Sequence, residues 1–168
     1  VKNLTVQGQI CATLGGTSYV GGIVGYVTSN SGISSALTSL NSDVDIDAEI
    51  VSDSANQRLY LGGISGYVTG SSVISDSKNG GNLHGTGEGR WTPQPYAGGI
   101  AGYSVSAIRK CVSKVTITGS DYVGGIAGQG LILTDNAAIL DAYDCSERCG
   151  SIAGFVDFSD ENSEVLRN

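Results

Sequence analysis

The sequence predicts an all-β chain wound into about five stacked coils. Two observations carry this: an eight-residue box that recurs, and gap-free spacing of strand-like residues between its copies. The box first reads Tyr19-Val20-Gly21-Gly22-Ile23-Val24-Gly25-Tyr26. It returns as YLGGISGY from Tyr60, YAGGIAGY from Tyr96 and YVGGIAGQ from Tyr122, with a decayed copy, RCGSIAGF, from Arg148. The central isoleucines, Ile23, Ile64, Ile100, Ile126 and Ile152, are spaced by 41, 36, 26 and 26 residues. A recurring period decides architecture before local propensity does. The value 26 is the bare unit, and the longer spacings carry insertions. That unit is too short for a domain and suits one turn of a solenoid. It holds three strands of about five residues, each rising ~3.3 Å per residue, and three corners. Helical repeats run to about 33 residues or more and need a 3.6-residue period. The Gly, Val, Ile, Ser and Thr of these copies favour strands and turns instead.

Within the box, the Gly-Gly pair is expected to adopt positive φ or to form a bulge. A bulge lets Val20 and Ile23 point the same way despite their odd separation. The third glycine (Gly25, Gly66, Gly102, Gly128, Gly154) is expected to mark a corner. Ser151 replaces the second glycine in the last copy, so that position is expected to accept a small side chain.

Between boxes lies a second segment. Its cleanest form has Ile108, Cys111, Val115 and Ile117. Leu37, Leu40, Val44 and Ile46 match it in the first unit, and Ile74, Ser77, Gly81 and Leu83 in the second, without gaps. Insertions therefore fall at two corners only, before and after this segment. They are 6 and 9 residues in the first unit and 2 and 8 in the second, which accounts for the whole excess over 26. The fourth unit, Leu131 to Cys145, needs a shift of one.

A "GGI-x-G" box after a hydrophobic residue, with "I-x-x-C" and "V-x-I-x-G" between boxes, resembles the glycine-rich GLUG-motif repeats of bacterial surface proteins. Such repeats occur in large adhesin-like proteins and in accessory regions of IgA-cleaving metallopeptidases. The resemblance covers nearly the whole chain and implies a right-handed parallel β-helix. It specifies a repeat, not an activity. It implies a non-catalytic segment of a large cell-surface or secreted bacterial protein, acting as a rigid stalk or as an adhesive module for a host protein or glycan. The alternatives are an accessory domain of a secreted IgA-cleaving peptidase, with its catalytic site outside this chain, and a polysaccharide-active β-helix enzyme.

Taken in order, residues 1 to 18 begin inside a coil. Leu4, Val6 and Gly8 are aligned with Val115, Ile117 and Gly119. The absence of any Met, and of a basic start followed by an apolar signal segment, reads as a fragment of a longer repeat protein. Residues 27 to 59 hold the first insertions around a strict alternation, Asp43-Val44-Asp45-Ile46-Asp47-Ala48-Glu49-Ile50, with acids out and apolar residues in. Residues 68 to 95 end in a Gly/Pro-rich loop with the only Trp and both prolines. Residues 104 to 147 are the compact units. Beyond Phe155 the chain is acidic, and Val165 resembles the start of another Ile108-type strand. The expected core is the five box isoleucines with Val20, Val44, Ile46, Leu61, Val115, Ile117 and Val123.

The 168 residues are expected to form one domain. Charged residues are 15%, against a usual ~25%, so exposed faces must be built of Ser, Thr, Asn and Gly. A net charge of −7 argues against nucleic acid, whose binding needs clustered Lys and Arg. No apolar run approaches the ~18 residues of a membrane span. Coil ends are expected to pack on flanking repeats of the parent chain. Extracellular location, on the bacterial surface or secreted, follows from the resemblance.

Four cysteines do not make a disulfide scaffold at this length. Cys111 falls at an inward position as a small hydrophobe. Cys145 and Cys149 could bridge if geometry allows, and Cys11 has no obvious partner. Seven of the eight tyrosines lie in boxes, so Tyr19, Tyr60, Tyr96 and Tyr122 are expected in one ladder, and Tyr26, Tyr67, Tyr103 and Phe155 in a second. Packing of corner rings explains these ladders better than a glycan platform does. The acids from Asp43 to Glu49 alternate along one strand, nearly ~7 Å apart, too far to converge on one Ca²⁺. The single histidine, His84, excludes HExxH and other multi-histidine metal sites. No G-x-S-x-G elbow accompanies it. No catalytic residue, metal or cofactor is expected. The candidates for ligand contact are Arg90 and Trp91 of the long loop, residue types enriched at binding hot spots; the alternative is that Trp91 folds back to cover apolar surface on the side of the solenoid. Finally, the register places Asp45 beside Asn82 and Thr116, and Asp47 beside His84 and Thr118, on one outward face.

Overall fold

A computed structural model describes residues 1–30, 34–89, 94–156 and 164–168. Its strands are β1 (Lys2–Leu14), β2 (Ser18–Gly21), β3 (Val24–Val27), β4 (Ala36–Val51), β5 (Arg58–Gly62) and β6 (Ser65–Val68). They continue as β7 (Val73–Ser75), β8 (Lys78–Asn79), β9 (Leu83–Glu88), β10 (Gln94–Gly98) and β11 (Ala101–Arg109). The last are β12 (Val112–Gly124), β13 (Ala127–Thr134), β14 (Ala137–Gly150), β15 (Ala153–Phe155) and β16 (Glu164–Leu166). No helix occurs among the described residues. The strands join one sheet in which every pairing is parallel.

Each copy pairs with the next in the register set by the box. Tyr19, Tyr60, Tyr96, Tyr122 and Arg148 form one row across β2, β5, β10, β12 and β14. Leu37, Ile74, Ile108, Leu133 and Val165 form another. Ile46, Leu83 and Ile117 form a third. The two-corner placement of insertions therefore holds. The fourth unit is irregular at three places: Val115 pairs with Leu140 but Thr116 with Ala142, which leaves Asp141 extra, and the register shifts again between Ile117 and Ser120 and between Ser120 and Tyr122.

The N-terminal segment departs from expectation by four residues. Leu4 pairs with Leu40, Ile10 with Ile46 and Leu14 with Ile50. The short apolar-Gly match of Leu4, Val6 and Gly8 does not set the register. The longer inward series Ile10, Ala12, Leu14 repeats the series Ile46, Ala48, Ile50 and wins because it buries more apolar surface.

The box glycines serve close approach, not unusual backbone angles. None of them has positive φ; among the described residues the positive-φ glycines are Gly8, Gly16, Gly70, Gly89 and Gly119. The bend falls at Gly22-Ile23, between β2 and β3, so Gly25 lies inside a strand and marks no corner. A Cβ on Gly25 would come within 2.7 Å of the Tyr19 carbonyl oxygen, and one on Gly66 within 2.6 Å of the Val20 amide. The two limbs of the box thus run back to back with no room for a side chain. At Gly22, Gly63, Gly99 and Gly125, a Cβ would overlap the facing side chains of Ser42, Asn79, Ser113 and Ala138. It would also overlap the carbonyl oxygen of the next copy, on Gly63, Gly99, Gly125 and Ser151 respectively. The position therefore accepts no side chain inside the stack. Ser151, which holds this position in the fifth box, is exposed.

This glycine contact divides the interior in two. On one side the box isoleucines pack with Leu37, Leu40, Ile74, Ile108, Cys111 and Leu133. On the other, Val44, Ile46, Leu83, Val115 and Ile117 pack with Leu59, Leu61, Ala97 and Val123. Ile64, Ile100 and Ile126 are fully buried, whereas Ile23 and Ile152 in the outer boxes are partly so. Each buried aliphatic contributes about 1.5–3 kcal/mol. A third feature recurs once per copy without a sequence signature. Asn3, Ser39, Asp76, Lys110, Asp135 and Arg167, equivalent by register, all adopt left-handed φ between 51° and 56°. After four of them the next residue, Leu40, Ser77, Cys111 or Asn136, is buried, and at the last of these the side chain satisfies the corner: Asn136 accepts from the Cys111 amide at 3.0 Å and donates to the Ile108 carbonyl at 3.0 Å.

Candidate functional site

Arg90 and Trp91 lie outside the described residues. Two surfaces within them group polar or aromatic side chains: the outward face of β4, β9 and β12, and the outer edge of the boxes.

On the first, alternation throws Asp43, Asp45 and Asp47 outward while Val44 and Ile46 go in. Asp47 pairs with His84, and His84 with Thr118, as the register predicts. Parallel stacking puts Asp45, Asn82 and Thr116 in the adjoining column. Together with Gln9 these side chains line a shallow depression of about 250 Å³. Their polar atoms are largely committed to one another. The Asn82 amide donates to Asp45 Oδ1 at 2.8 Å, and the Thr116 amide to Asn82 Oδ1 at 3.1 Å. His84 Nδ1 lies 2.8 Å from Thr118 Oγ1. The side chains thereby replace backbone ladder bonds between copies. Among the described residues, no group of three or more His, Cys, Asp or Glu side chains converges where a metal could bind.

On the second surface the two expected tyrosine ladders interlock into one spine. Tyr19 stacks on Tyr60 at 5.5 Å, Tyr67 on Tyr103 at 4.5 Å and Tyr96 on Tyr122 at 4.2 Å. Edge-to-face contacts join the ladders, as between Tyr60 and Tyr67 at 5.2 Å. Such pairs are each worth about 0.5–1.5 kcal/mol beyond area burial. The inner rings are covered: Tyr60, Tyr96 and Tyr122 are 5%, 4% and 7% exposed, against 38% for Tyr19 and 47% for Tyr26. Burial pushes the Tyr96 hydroxyl up to about 12 and raises those of Tyr60 and Tyr67. Rings so enclosed pack against each other and offer no open platform.

Two arginines attend the spine, and the sequence pattern did not single them out. Arg58 donates to the Tyr60 hydroxyl at 3.4 Å and lies 5.6 Å from the Tyr96 centroid. Arg148 takes the place of tyrosine in the fifth box, 5.3 Å from the Tyr122 ring and 4.4 Å from that of Phe155. Its signal was present as a cation standing in a column of rings, a cation–π arrangement. Nearby, Cys145 and Cys149 are joined in a disulfide. Cys111 is buried and free, its thiol pushed up to about 11 by that burial, which fits an inert packing role. Cys11 is free and exposed. No family model, curated protein or solved structure matches this chain.

Proposed function

We propose that the copies wind as a right-handed parallel β-helix, and that the chain is a non-catalytic repeat segment of a large bacterial surface or secreted protein. Its work is mechanical and adhesive: a rigid element that carries, or itself presents, a contact surface for a host protein or glycan. The observation that carries this reading is the single register maintained through five boxes, with glycines packed backbone to backbone at every step. Such a stack has little freedom to open and close around a substrate. Right-handed crossing is the strong rule for parallel strands joined within one sheet. The polar side chains of the β4–β9–β12 face support the same reading, because they tie copies together and do not converge. The Cys145–Cys149 disulfide supports an oxidising, extracellular location.

The test is a binding and turnover screen on the purified chain. Immobilised glycans and extracellular host proteins are scored for retention, and soluble polysaccharides for cleavage. Retention without cleavage is the expected outcome. Turnover of any polysaccharide that is lost in His84→Ala would overturn the non-catalytic reading in favour of an enzyme of the sugar-active kind.

A further inference from the structure

The aromatic spine holds its rings at unequal distances. Tyr19 and Tyr60 stack 5.5 Å apart with planes 7° from parallel, and Tyr26 and Tyr67 5.4 Å apart at 13°. Tyr67 and Tyr103 close to 4.5 Å at 9°, and Tyr96 and Tyr122 to 4.2 Å at 8°. The two close pairs sit at or below the short end of the ~4.5–7 Å range of aromatic contacts. They differ in access. Tyr96 and Tyr122 are buried, whereas Tyr67 and Tyr103 are half-buried. Of these stacks, Tyr67–Tyr103 combines a close, parallel face with an edge open to water.

The backbone fixes that pair. Strands β6 and β11 pair in parallel with Tyr67 opposite Tyr103. The residues before them, Gly66 and Gly102, lie so close to the Val20 and Leu61 amides that a Cβ on either would come within 2.6 Å. Tyr60 braces both rings edge-on, at 5.2 Å from Tyr67 and 5.7 Å from Tyr103. Two phenols held this way are arranged for oxidative coupling. A phenol that loses one electron and its hydroxyl proton becomes a radical with spin on the carbons ortho to oxygen, in lobes perpendicular to the ring. Two such radicals join through those lobes, so the new bond starts between ring faces. A close stack presents the faces; an edge-to-face contact does not. Holding both partners in place also turns a bimolecular step into an intramolecular one.

We propose that Tyr67 and Tyr103 form an oxidative cross-linking site, where a one-electron oxidant generated from hydrogen peroxide joins the two rings through their ortho carbons. Each ring gives up one electron and its hydroxyl proton. The carbon–carbon bond forms, each joined carbon then releases its hydrogen as a proton, and each oxygen regains one. Overall, two tyrosines and one hydrogen peroxide become one biphenol and two water molecules. Tyr96 and Tyr122, although closer, are sealed from the oxidant and from the water that takes the protons. The product ties the second box to the third by a bond that thiols do not reduce. A covalent tie between residues distant in sequence narrows the unfolded ensemble, as a disulfide does. Oxidation at this site therefore hardens the stack, whatever the protein binds.

The test treats the full chain, in dilute solution, with hydrogen peroxide and a haem peroxidase. The expected product is a single chain lighter by two hydrogen atoms, with biphenol fluorescence and a yield independent of protein concentration. After trypsin, the link should join residues 59–78 to residues 91–109, with fragmentation placing it at Tyr67 and Tyr103. Tyr67→Phe and Tyr103→Phe keep the rings and lose the hydroxyls. Each, with its fold checked by circular dichroism, is expected to lower the yield about tenfold or more, while Tyr122→Phe leaves it unchanged. No coupled product, products joined only between chains, a link at the exposed Tyr143 or between Tyr96 and Tyr122, or an undiminished yield in folded Tyr67→Phe would each overturn the proposal. None of these outcomes depends on whether the parent protein binds a glycan.

Discussion

At the second glycine of each box, one methyl group separates a stack that closes from one that does not. The pressure comes from two sides at once: a small side chain across the interior and the carbonyl of the next copy. Neither can retreat, because the first is itself enclosed and the second is held in the inter-copy ladder. Ser42 and Ser113, which face Gly22 and Gly99, show the cost of this fit. Their buried hydroxyls have no hydrogen-bond partner among the described residues, a situation that ordinarily costs about 1–3 kcal/mol. They are small enough to fit, and the glycine backbone offers them nothing to bind. Gly99→Ala should therefore destabilise the chain by about 3 kcal/mol or more, as overpacking against backbone does. Ser151→Ala, at an exposed position, should stay within about 0.5 kcal/mol of the parent. Chemical denaturation of both variants checks this, and similar losses would remove the steric account of the glycine pair.

Among the elements, the aromatic spine is the one whose stability responds to pH. Tyr96 is raised from the ordinary 10.0 to about 12 because burial penalises the phenolate, and Tyr60 and Tyr67 are raised for the same first reason. A raised value in the folded state means that the folded chain still holds protons which the unfolded chain has released. Stability is thus full below pH 10 and falls as pH climbs toward about 12. Melting followed from pH 8 to 12, alongside tyrosinate absorbance, should show a declining midpoint with late, cooperative ionisation of the buried rings. Ionisation of every tyrosine near its ordinary value, with an unchanged midpoint, would contradict the packing of the spine. The spine also explains why copies with decayed boxes still align. Arg148 and Phe155 keep the column occupied by a cation and a ring where tyrosines have been lost.

Across the whole molecule, what could be read in advance was whatever a residue type announces. Box register, inward isoleucines, acids on one face and the Asp47–His84 pairing all follow from apolar spacing, and the structure repeats them. The left-handed corner could not be read, because Asn3, Ser39, Asp76, Lys110, Asp135 and Arg167 share no chemistry; the surrounding register imposes the angle on whichever residue is there. In the N-terminal segment an apolar-Gly match of a few residues competes with a longer inward alternation, and the alternation sets the register. The box glycines stand out in the sequence but their cause does not, since a sequence shows that a side chain is missing and not what would have occupied its space. The candidate site was the least legible part: the spine arginines act through rings that only the fold brings beside them.

The uneven corner insertions bear on the order in which the chain acquires its structure. Contacts between neighbouring boxes close loops of 41 and 36 residues in the first half and 26 residues in the second. The shorter closure is favoured by about 0.4 kcal/mol over the longest on chain entropy alone. The pair joined by Ile100 and Ile126 combines the short loop with complete burial of both side chains. In a chain whose contacts fall mostly between adjacent repeats, folding starts at the most favourable pair and spreads outward. The third and fourth boxes should be that nucleus, with the tyrosine-rich first box arriving last. Pulse-labelling hydrogen exchange during refolding should protect the amides of Ile100 and Ala101 before those of Ile23 and Val24. Earlier protection at Ile23 would place the nucleus at the other end, where the loop is longest.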